Sequence, residues 1–153
     1  MNTTHITTAL LGIAFALTVP SCNRTEQGGP PKIMLGDSTC RECGMIISDE
    51  RFATATVIQS EHGKEALLFD DFNCQLNFEH QFPDLDITNR WSHDYSSLVW
   101  FETESGSFVK SPEIRSPMAS GMAIFQDRSE ADAFSKPVSG EILEFETAWT
   151  QNE

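Results

Sequence analysis

The segment that most constrains the fold is a strand, a tight turn and a second strand within residues 52–69. Residues 52–59 are rich in β-branched and small side chains with rough alternation, and residues 65–69 form a second short apolar run. Short runs of this kind, bounded by turn residues, are typical of β-strands. The turn at residues 61–64 contains a glycine, which suits a hairpin. We therefore expect an antiparallel hairpin early in the folded domain.

The remaining pattern mixes short helices and strands. A helix is predicted over residues 70–80, where Phe72 and Leu76 have helical spacing and Asp70 or Asp71 is available as N-cap. A second helix is predicted at 129–134, capped by Ser129. Further strands are predicted at residues 91–95, 97–103, 108–109, 122–126 and 141–146.

The strands at 97–103 and 108–109 are expected to form a hairpin through a turn at 104–107, and the last strand is expected to close the sheet. The fold prediction is therefore α+β, a small single domain of β-hairpins with two or three short helices.

The N-terminal segment resembles a lipoprotein signal. Residues 1–21 contain no Lys, Arg, Asp or Glu, and residues 9–19 are an almost unbroken apolar run. This run has the length of a signal-peptide core and is too short to span a bilayer comfortably. A small residue directly precedes Cys22, as in the lipobox of bacterial lipoproteins, where that cysteine is acylated. We expect a signal peptide over 1–21 and a lipidated Cys22; a buried N-terminal helix is the alternative.

The domain boundaries follow from composition. Residues 22–36 are predicted to be the lipid anchor and a flexible tether, because most of this segment is polar and rich in Gly and Pro. Residues 37–149 are long enough to bury one core and form the predicted domain, and residues 150–153 form a tail.

The charge balance restricts the partners. Ten basic residues stand against 23 acidic residues, for a formal net charge of −13. Because phosphate binding requires Lys and Arg, nucleic acid is excluded as a partner, and adhesion to anionic lipid is disfavoured. An acidic surface most often serves solubility; the alternative is steering toward a basic docking face or toward cations.

Soft donor atoms cluster in the segment that precedes the hairpin. Cys40, Cys43 and Met45 fall within six residues on a turn that contains Gly44. Thiolates and thioethers favour Cu(I) over Mg²⁺, Ca²⁺ or Mn²⁺, which prefer oxygen. A disulfide or half of a zinc site is the other interpretation of the two cysteines.

Two methionines lie far along the chain, in a segment of Gly, Ser and Pro at residues 117–122. Met122 opens an apolar run and is predicted to fill the core. Met118 follows a proline, precedes two small residues and has no apolar neighbour that would draw it into a core. Met118 is therefore not expected to fill the core.

Four cysteines have to be reconciled with an oxidising compartment. With Cys22 lipidated, Cys40, Cys43 and Cys74 remain, and an odd number cannot all form disulfides. Cys74 lies within the first predicted helix, where a buried free thiol is expected. Cys40 and Cys43 could form a reversible disulfide without metal, and Cu(I) would keep them reduced.

Several short motifs, in the same order along residues 37–147, resemble the NosL family. They are Cys43-Gly44-Met45, Phe69-Asp70-Asp71, His93-Asp94-Tyr95, Trp100-Phe101, Ser116-Pro117-Met118, Ala123-Ile124-Phe125, Ser129, Ala133-Phe134 and residues 140–145. Members of this family are lipid-anchored copper chaperones that supply nitrous oxide reductase.

The resemblance implies a small α+β fold like that of the organomercurial lyases, with Cu(I) held by Cys43, Met45 and Met118. It implies metal transfer without catalysis, on the periplasmic face of a bacterial membrane. The implied partners are the maturation machinery of nitrous oxide reductase, either a membrane ABC-type transporter complex or the apo-reductase, or both.

Some positions depart from the family pattern. Cys40 is often not a cysteine there, so it is either an auxiliary thiol or a ligand. Ala119 stands where glycine usually follows the methionine, and Met122 stands at a usually aliphatic position. His93 is a possible nitrogen donor, but a lone histidine beside an aspartate is more often structural.

Three other functions are compatible with parts of the sequence. A periplasmic thiol–disulfide oxidoreductase would use Cys40 and Cys43, although such a motif usually opens a helix beside a βαβ unit. A structural zinc site would need two further ligands, for which Cys74 and His80 are poorly spaced. A carbon–mercury lyase is suggested by fold analogy alone, and fold does not determine function.

Overall fold

The computed structural model describes residues 29–150, which form two antiparallel sheets and three α-helices. The predicted signal peptide, Cys22 and most of the predicted tail lie outside these residues. In chain order the elements are β1 (Thr54–Ser60), β2 (Gly63–Phe69), α1 (Phe72–Gln81), β3 (Ile87–His93), β4 (Trp100–Glu102), β5 (Ser107–Lys110), β6 (Met122–Phe125), α2 (Arg128–Ser135), β7 (Glu141–Glu144) and α3 (Phe145–Thr150). Within residues 29–150, no helix is long and apolar enough to cross a membrane.

Sheet I contains four strands in the order β2-β1-β3-β4. The predicted hairpin is confirmed: β1 and β2 pair in register from Thr54 opposite Phe69 to Ser60 opposite Gly63. Gly63 has a φ of 106°, which favours glycine over residues with a side chain. β1 also pairs with β3, and a bulge interrupts the pairing between Val57 and Ile58.

Sheet II contains three strands in the order β6-β5-β7. The prediction of a β4–β5 hairpin and of one continuous sheet is therefore wrong. A short 3-10 helix at Thr103–Ser105 takes the chain from sheet I to sheet II. At Gly106 an added Cβ would lie 2.9 Å from Ile124 Cγ2 and 3.1 Å from the Phe101 ring. The close packing of the two sheets at this point explains why a glycine is needed.

The helices begin at aspartate caps. Asp71 precedes α1, and its Oδ1 accepts a hydrogen bond from the Asn73 N–H at 3.1 Å. Asp127 caps α2 through the Ser129 N–H at 2.7 Å, so the predicted cap at Ser129 lies two residues too late. Both helices nevertheless occupy the predicted stretches within a few residues.

The third helix was not predicted as such. The final strand ends at Glu144, and residues Phe145–Thr150 turn into α3. Phe145 and Trp149 are one helical turn apart with ring centroids at 5.2 Å, and Trp149 packs on Phe72 at 5.8 Å. The spacing of four residues between Phe145 and Trp149 is typical of one face of a helix. Ala148 is buried against the same core and extends this apolar face.

Asp94 and Tyr95 join the two sheets. The Tyr95 N–H donates to the Ile124 carbonyl at 2.8 Å, and the Gln126 N–H donates to Asp94 Oδ2 at 2.8 Å. The other Asp94 oxygen accepts from Ser96 and Ser97. Burial raises the pKa of Asp94, but these hydrogen bonds outweigh it and hold the pKa below its usual range. A charged carboxylate therefore fixes the relative position of the sheets.

Candidate metal site

Three thiols converge at one end of sheet I. The sulfur atoms of Cys40, Cys43 and Cys74 all lie within 4.8 Å of one another. Cys40 and Cys43 come from the segment before β1, and Cys74 comes from the first turn of α1. All three are free cysteines in the structure. Histidine, cysteine, aspartate and glutamate are the side chains that most often bind metal ions. Among these side chains in residues 29–150, the three cysteines are the group that lies close enough together to hold one.

The turn that carries Cys40 and Cys43 is closed by backbone hydrogen bonds. The Cys40 N–H donates to the Met45 carbonyl at 2.8 Å, and the Gly44 N–H donates to the Cys40 carbonyl at 3.0 Å. Gly44 has a φ of 73°, while an added Cβ would meet nothing within 4 Å. Backbone conformation, and not lack of space, therefore explains the glycine at this position.

This turn is fixed against the hairpin and α1. The Arg41 N–H donates to the Leu68 carbonyl of β2 at 2.7 Å. Cys40 packs with Leu67, Phe69, Cys74 and Phe78 in one apolar cluster. These contacts bring a loop, a strand and a helix together, so the cysteine cluster depends on the folded domain and not on the C-x-x-C spacing alone.

The electrostatics of the cysteine cluster favour one thiolate. The Cys74 thiol forms a hydrogen bond to Cys40, which lowers the Cys40 pKa to about 5 against the effect of burial. The same hydrogen bond, together with burial and the charge on Cys40, raises the pKa of Cys74. Cys74 Sγ also lies 3.9 Å from Cys43 Sγ, and burial raises the pKa of Cys43. A second or third thiolate consequently needs a bound cation to compensate its charge.

Asp70 adds negative charge beside this cluster. Its side chain is buried, and burial followed by the charges of Cys40 and Asp71 raises its pKa to about 6. Asp70 Oδ1 has no hydrogen-bond partner among the described residues. A cation at the cysteine cluster would therefore relieve an electrostatic cost that the apo protein carries.

The two predicted thioether ligands are exposed. Met45 has 52% of its surface accessible and Met118 has 37%. Met118 is held near α1 because its N–H donates to Asp71 Oδ2 at 3.0 Å, while the Asp71 carbonyl accepts the Cys74 N–H at 3.0 Å. Ala119 has a φ of 57°, a strained conformation for a residue with a side chain. Asp71, the N-cap of α1, thus holds the loop that carries Met118 beside the first turn of the helix that carries Cys74.

Cys74 is the residue whose place in the site the sequence did not indicate. It was expected to be a buried free cysteine, and it is buried with 2% of its surface exposed, but it faces the other two thiols. The available signal was its position three residues after the Asp71 cap, in the helical turn that directly follows β2. This position predicts that Cys74 lies near the end of β2, but it does not predict that the turn with Cys40 and Cys43 packs there.

His93 and Met122 have structural environments. His93 is buried, stacks on Trp100 with ring centroids 3.7 Å apart, and has Nδ1 3.3 Å from the Ala53 carbonyl. It is not a member of the cysteine cluster. Met122 is 2% exposed in the core with Phe72 and Phe108, as the sequence predicts.

A small α+β domain that gathers three thiols near its surface defines a protein with a candidate site for a soft metal ion. The sequence model of the NosL family matches residues 31–151, and the chain belongs to the NosL family. No curated protein sequence matches the chain significantly.

The fold is also similar to that of a solved protein, the copper chaperone NosL from Shewanella denitrificans. The TM-score is 0.63 at 19% sequence identity, and the match covers 81% of this chain and all of that chain. The α+β prediction is confirmed by this likeness.

Proposed function

We propose that the protein is a Cu(I)-binding metallochaperone without catalytic activity. The observation that carries this proposal is the convergence of Cys40, Cys43 and Cys74, of which Cys43 is partly exposed. Membership of the NosL family and the likeness to a copper chaperone support the same function.

The chemistry of the donors favours Cu(I) over other metal ions. Thiolate sulfur is a soft ligand that suits Cu(I), and no carboxylate or histidine joins the three sulfur atoms within the described cluster. A structural zinc site usually has four protein ligands, which this cluster does not provide. Three sulfur ligands leave the metal accessible to a ligand from an acceptor, which a protein that delivers its cargo requires.

The proposed acceptor is the maturation machinery of nitrous oxide reductase, through a membrane ABC-type transporter complex, the apo-reductase or both. The formal net charge of −13 supports a partner with a basic docking face and argues against nucleic acid. The proposed location is the periplasmic face of a bacterial membrane, with acylated Cys22 as the anchor.

Metal binding is tested by titrating the reduced chain with Cu(I) against a coloured chelator. We expect one tightly bound Cu(I) per chain and X-ray absorption dominated by sulfur scattering. Mainly oxygen scattering, or preference for Zn²⁺ in competition with a thiol chelator, would refute the proposal.

The anchor is tested separately with Cys22→Ser in cells. We expect the parent chain in the membrane fraction and the Cys22→Ser chain released or mislocalised. Equal membrane association of the two chains would exclude lipidation of Cys22 without affecting the copper proposal.

The alternative function, thiol–disulfide exchange by Cys40 and Cys43, draws support from the lowered pKa of Cys40. Two observations weigh against it. Cys40 has 2% of its surface exposed, and the C-x-x-C segment forms a turn closed by the Thr39–Ile46 bridge and does not open a helix. An insulin-reduction assay distinguishes the two functions, since the chaperone is expected to show no activity above free thiol.

A further inference from the structure

Exposed apolar side chains concentrate on residues 34–47, a short two-armed ribbon whose turn carries Cys40 and Cys43. Among residues 29–150, eight large apolar side chains are exposed, and half of them lie on this ribbon. These four, each with more than half of its surface accessible, are Met34, Leu35, Met45 and Ile46. Single exposed apolar side chains are common on protein surfaces, but a group of them on one short segment marks an interaction surface.

Backbone hydrogen bonds join the two arms of the ribbon. The Gly36 N–H donates to the Ile47 carbonyl at 3.1 Å, and the Ile47 N–H donates to the Ser38 carbonyl at 2.9 Å. Ile47 is fully buried, whereas Ile46 beside it faces outward, as alternation along an extended chain requires. The exposed side chains are therefore presented by a hydrogen-bonded segment that packs on the domain.

The ribbon differs in charge from the rest of the chain. Residues 32–47 carry two basic side chains, Lys32 and Arg41, and two acidic ones, Asp37 and Glu42. The formal net charge of −13 consequently lies outside this segment. A partner with a basic docking face would be attracted to the acidic remainder of the domain and not to the ribbon. A surface without net charge fits the ribbon better.

The ribbon is also close in sequence to the proposed lipid anchor. Eleven residues separate Cys22 from Met34. A chain of this length spans at most about 40 Å, so an acylated Cys22 would keep the ribbon within that distance of the bilayer. Tethering makes contact with the bilayer an intramolecular event at high effective concentration, so weak apolar contacts are enough to hold the ribbon there.

We infer that the ribbon docks onto the surface of a lipid bilayer, with its four exposed apolar side chains among the headgroups and the acidic remainder of the domain in water. The lipid that it fits is zwitterionic, because anionic headgroups repel a chain with a net charge of −13. This inference rests on the anchor in the proposed function and adds an orientation to it. The turn with Cys43 lies on the membrane side of the domain, where an acceptor in the membrane can reach it.

Oxidation of methionine measures this docking. Dilute hydrogen peroxide converts accessible methionine to its sulfoxide, and mass spectrometry resolves each position. The metal-free lipidated chain is reconstituted in vesicles of phosphatidylcholine and phosphatidylethanolamine. Ala133→Met, at an exposed position of α2, adds a reference methionine outside the ribbon. Initial rates at Met34 and at position 133 are compared within the same molecule.

Leu35→Ser with Ile46→Ser removes half of the apolar group, and Val99→Ser removes a similarly exposed side chain outside the ribbon. We expect Met34 in the double variant to oxidise about five- to tenfold faster relative to position 133, because docking of about 80–90% of the molecules leaves only the remainder reactive. Loss of neighbouring side chains alone would raise this rate less than about twofold, since Met34 is already 60% exposed. Val99→Ser is expected to match the chain with the intact ribbon.

Equal rates in the double variant and the intact ribbon, with folding verified by circular dichroism, would overturn docking on lipid. Protection of Met34 in native membranes but not in protein-free vesicles would also overturn it, and would assign the ribbon to a membrane protein. If the double variant does not fold, Leu35→Ser alone supplies the comparison. A chain without acyl groups on Cys22 would overturn the anchor and this inference with it. Failure to bind Cu(I) would instead refute the metallochaperone and leave the docking result unchanged, so the two failures are distinguishable.

Discussion

Sheet II has a mainly apolar interior, whereas sheet I, α1 and the turn between them hold most of the buried polar and charged side chains among the described residues. The interior of sheet II is built from Phe108, Val109, Ala123, Ile124, Phe125 and Leu143. On sheet I and α1, the buried side chains include Thr54, Thr56, Gln75, Glu79 and Ser92.

Unpaired buried polar atoms show the same asymmetry. Within residues 29–150, the buried side-chain atoms without a hydrogen-bond partner are Thr54 Oγ1, Asp70 Oδ1, Asn73 Oδ1, Gln75 Oε1 and Trp91 Nε1. All five belong to sheet I, to α1 or to the turn between them. Each such atom lowers the free energy of unfolding. Sheet I and α1, which carry the cysteine cluster, therefore bear a cost in stability that sheet II does not bear among the described residues. The comparison indicates that sheet II supplies stability and sheet I supplies the site.

The largest effect on stability is expected from Phe108→Ala in sheet II. Phe108 is fully buried and its ring lies 5.0 Å from Phe72 and 6.3 Å from Phe145. Removal of this ring is expected to lower the free energy of unfolding by about 3–5 kcal/mol. Val99→Ala, at a position 56% exposed, is the control and is expected to stay within about 0.5 kcal/mol. Urea denaturation checks both; equal effects would contradict the role assigned to sheet II.

The second prediction concerns Cys43→Ser in the site half. Cys43 belongs to the cysteine cluster and also to the ligand set that the family resemblance implies, so its loss is expected to weaken Cu(I) binding at least about 100-fold, or about 2.7 kcal/mol. Because Cys43 is only partly buried, the free energy of unfolding without metal is expected to change by less than about 1 kcal/mol. Chelator competition and urea denaturation measure the two quantities, and full affinity in the variant would remove Cys43 from the site.

Glu79→Gln tests the buried polar network of sheet I. Glu79 accepts hydrogen bonds from Thr56 Oγ1 at 2.5 Å and from Arg90 Nε at 2.8 Å. Glutamine keeps the size but removes the charge opposite Arg90, so the loss of stability is expected to be about 1–3 kcal/mol. Glu104→Gln removes the exposed partner of the same guanidinium, at 2.9 Å, and is the matched control with an expected loss below about 1 kcal/mol. A larger loss of stability in Glu104→Gln than in Glu79→Gln would contradict the view that the buried ion pair of Arg90 matters more than the exposed one.

The smallest expected effect is a pH dependence that arises from His93 in sheet I. Burial lowers the pKa of folded His93 below its ordinary value of 6.5, against the opposing effects of Ala53 and Glu50. The unfolded chain therefore takes up the proton first as the pH falls. The stability that neutral His93 contributes is complete above pH 6.5 and is lost progressively below it.

This dependence is measured as the stability difference between the parent and His93→Gln from pH 8 to pH 5, a span of about three units around the ordinary histidine value. The parent is expected to lose stability relative to the variant as the pH falls. His62→Gln, at an exposed position in the β1–β2 turn, is the control and is expected to follow the parent at every pH. A constant difference between the parent and His93→Gln would contradict the prediction.

Local sequence signals predicted the elements of the fold better than their assembly. The β1–β2 hairpin and α1 were predictable because alternation, a glycine turn and an aspartate cap act within a few residues. The division into two sheets was not predictable in this way. The turn at 104–107 looks like a hairpin turn, but β4 pairs with β3 whereas β5 pairs with β6 and β7, which follow later in the chain.

The candidate site shows the same limit. Cys40 and Cys43 were recognisable as soft donors on one short turn, and both lie in the cysteine cluster, whereas the ligand roles of Met45 and Met118 stay predictions. Cys74 was not recognisable in this way, since helical spacing predicts burial but does not identify what a buried thiol faces. Its partners depend on how the Cys40–Cys43 turn lies against β2 and α1, which includes the hydrogen bond from the Arg41 N–H to the Leu68 carbonyl and the packing of Cys40 against Phe69.

The distance along the chain between the cysteines determines the order of events during biogenesis. Cys43 and Cys74 are 31 residues apart, with the whole β1–β2 hairpin between them. An unfolded chain therefore presents a C-x-x-C pair and a separate thiol, and not yet a three-sulfur cluster. Only closure of the hairpin brings Cys74 to the others, so metal binding at the three-cysteine cluster has to follow folding, and before closure the thiols are open to mispairing by oxidation.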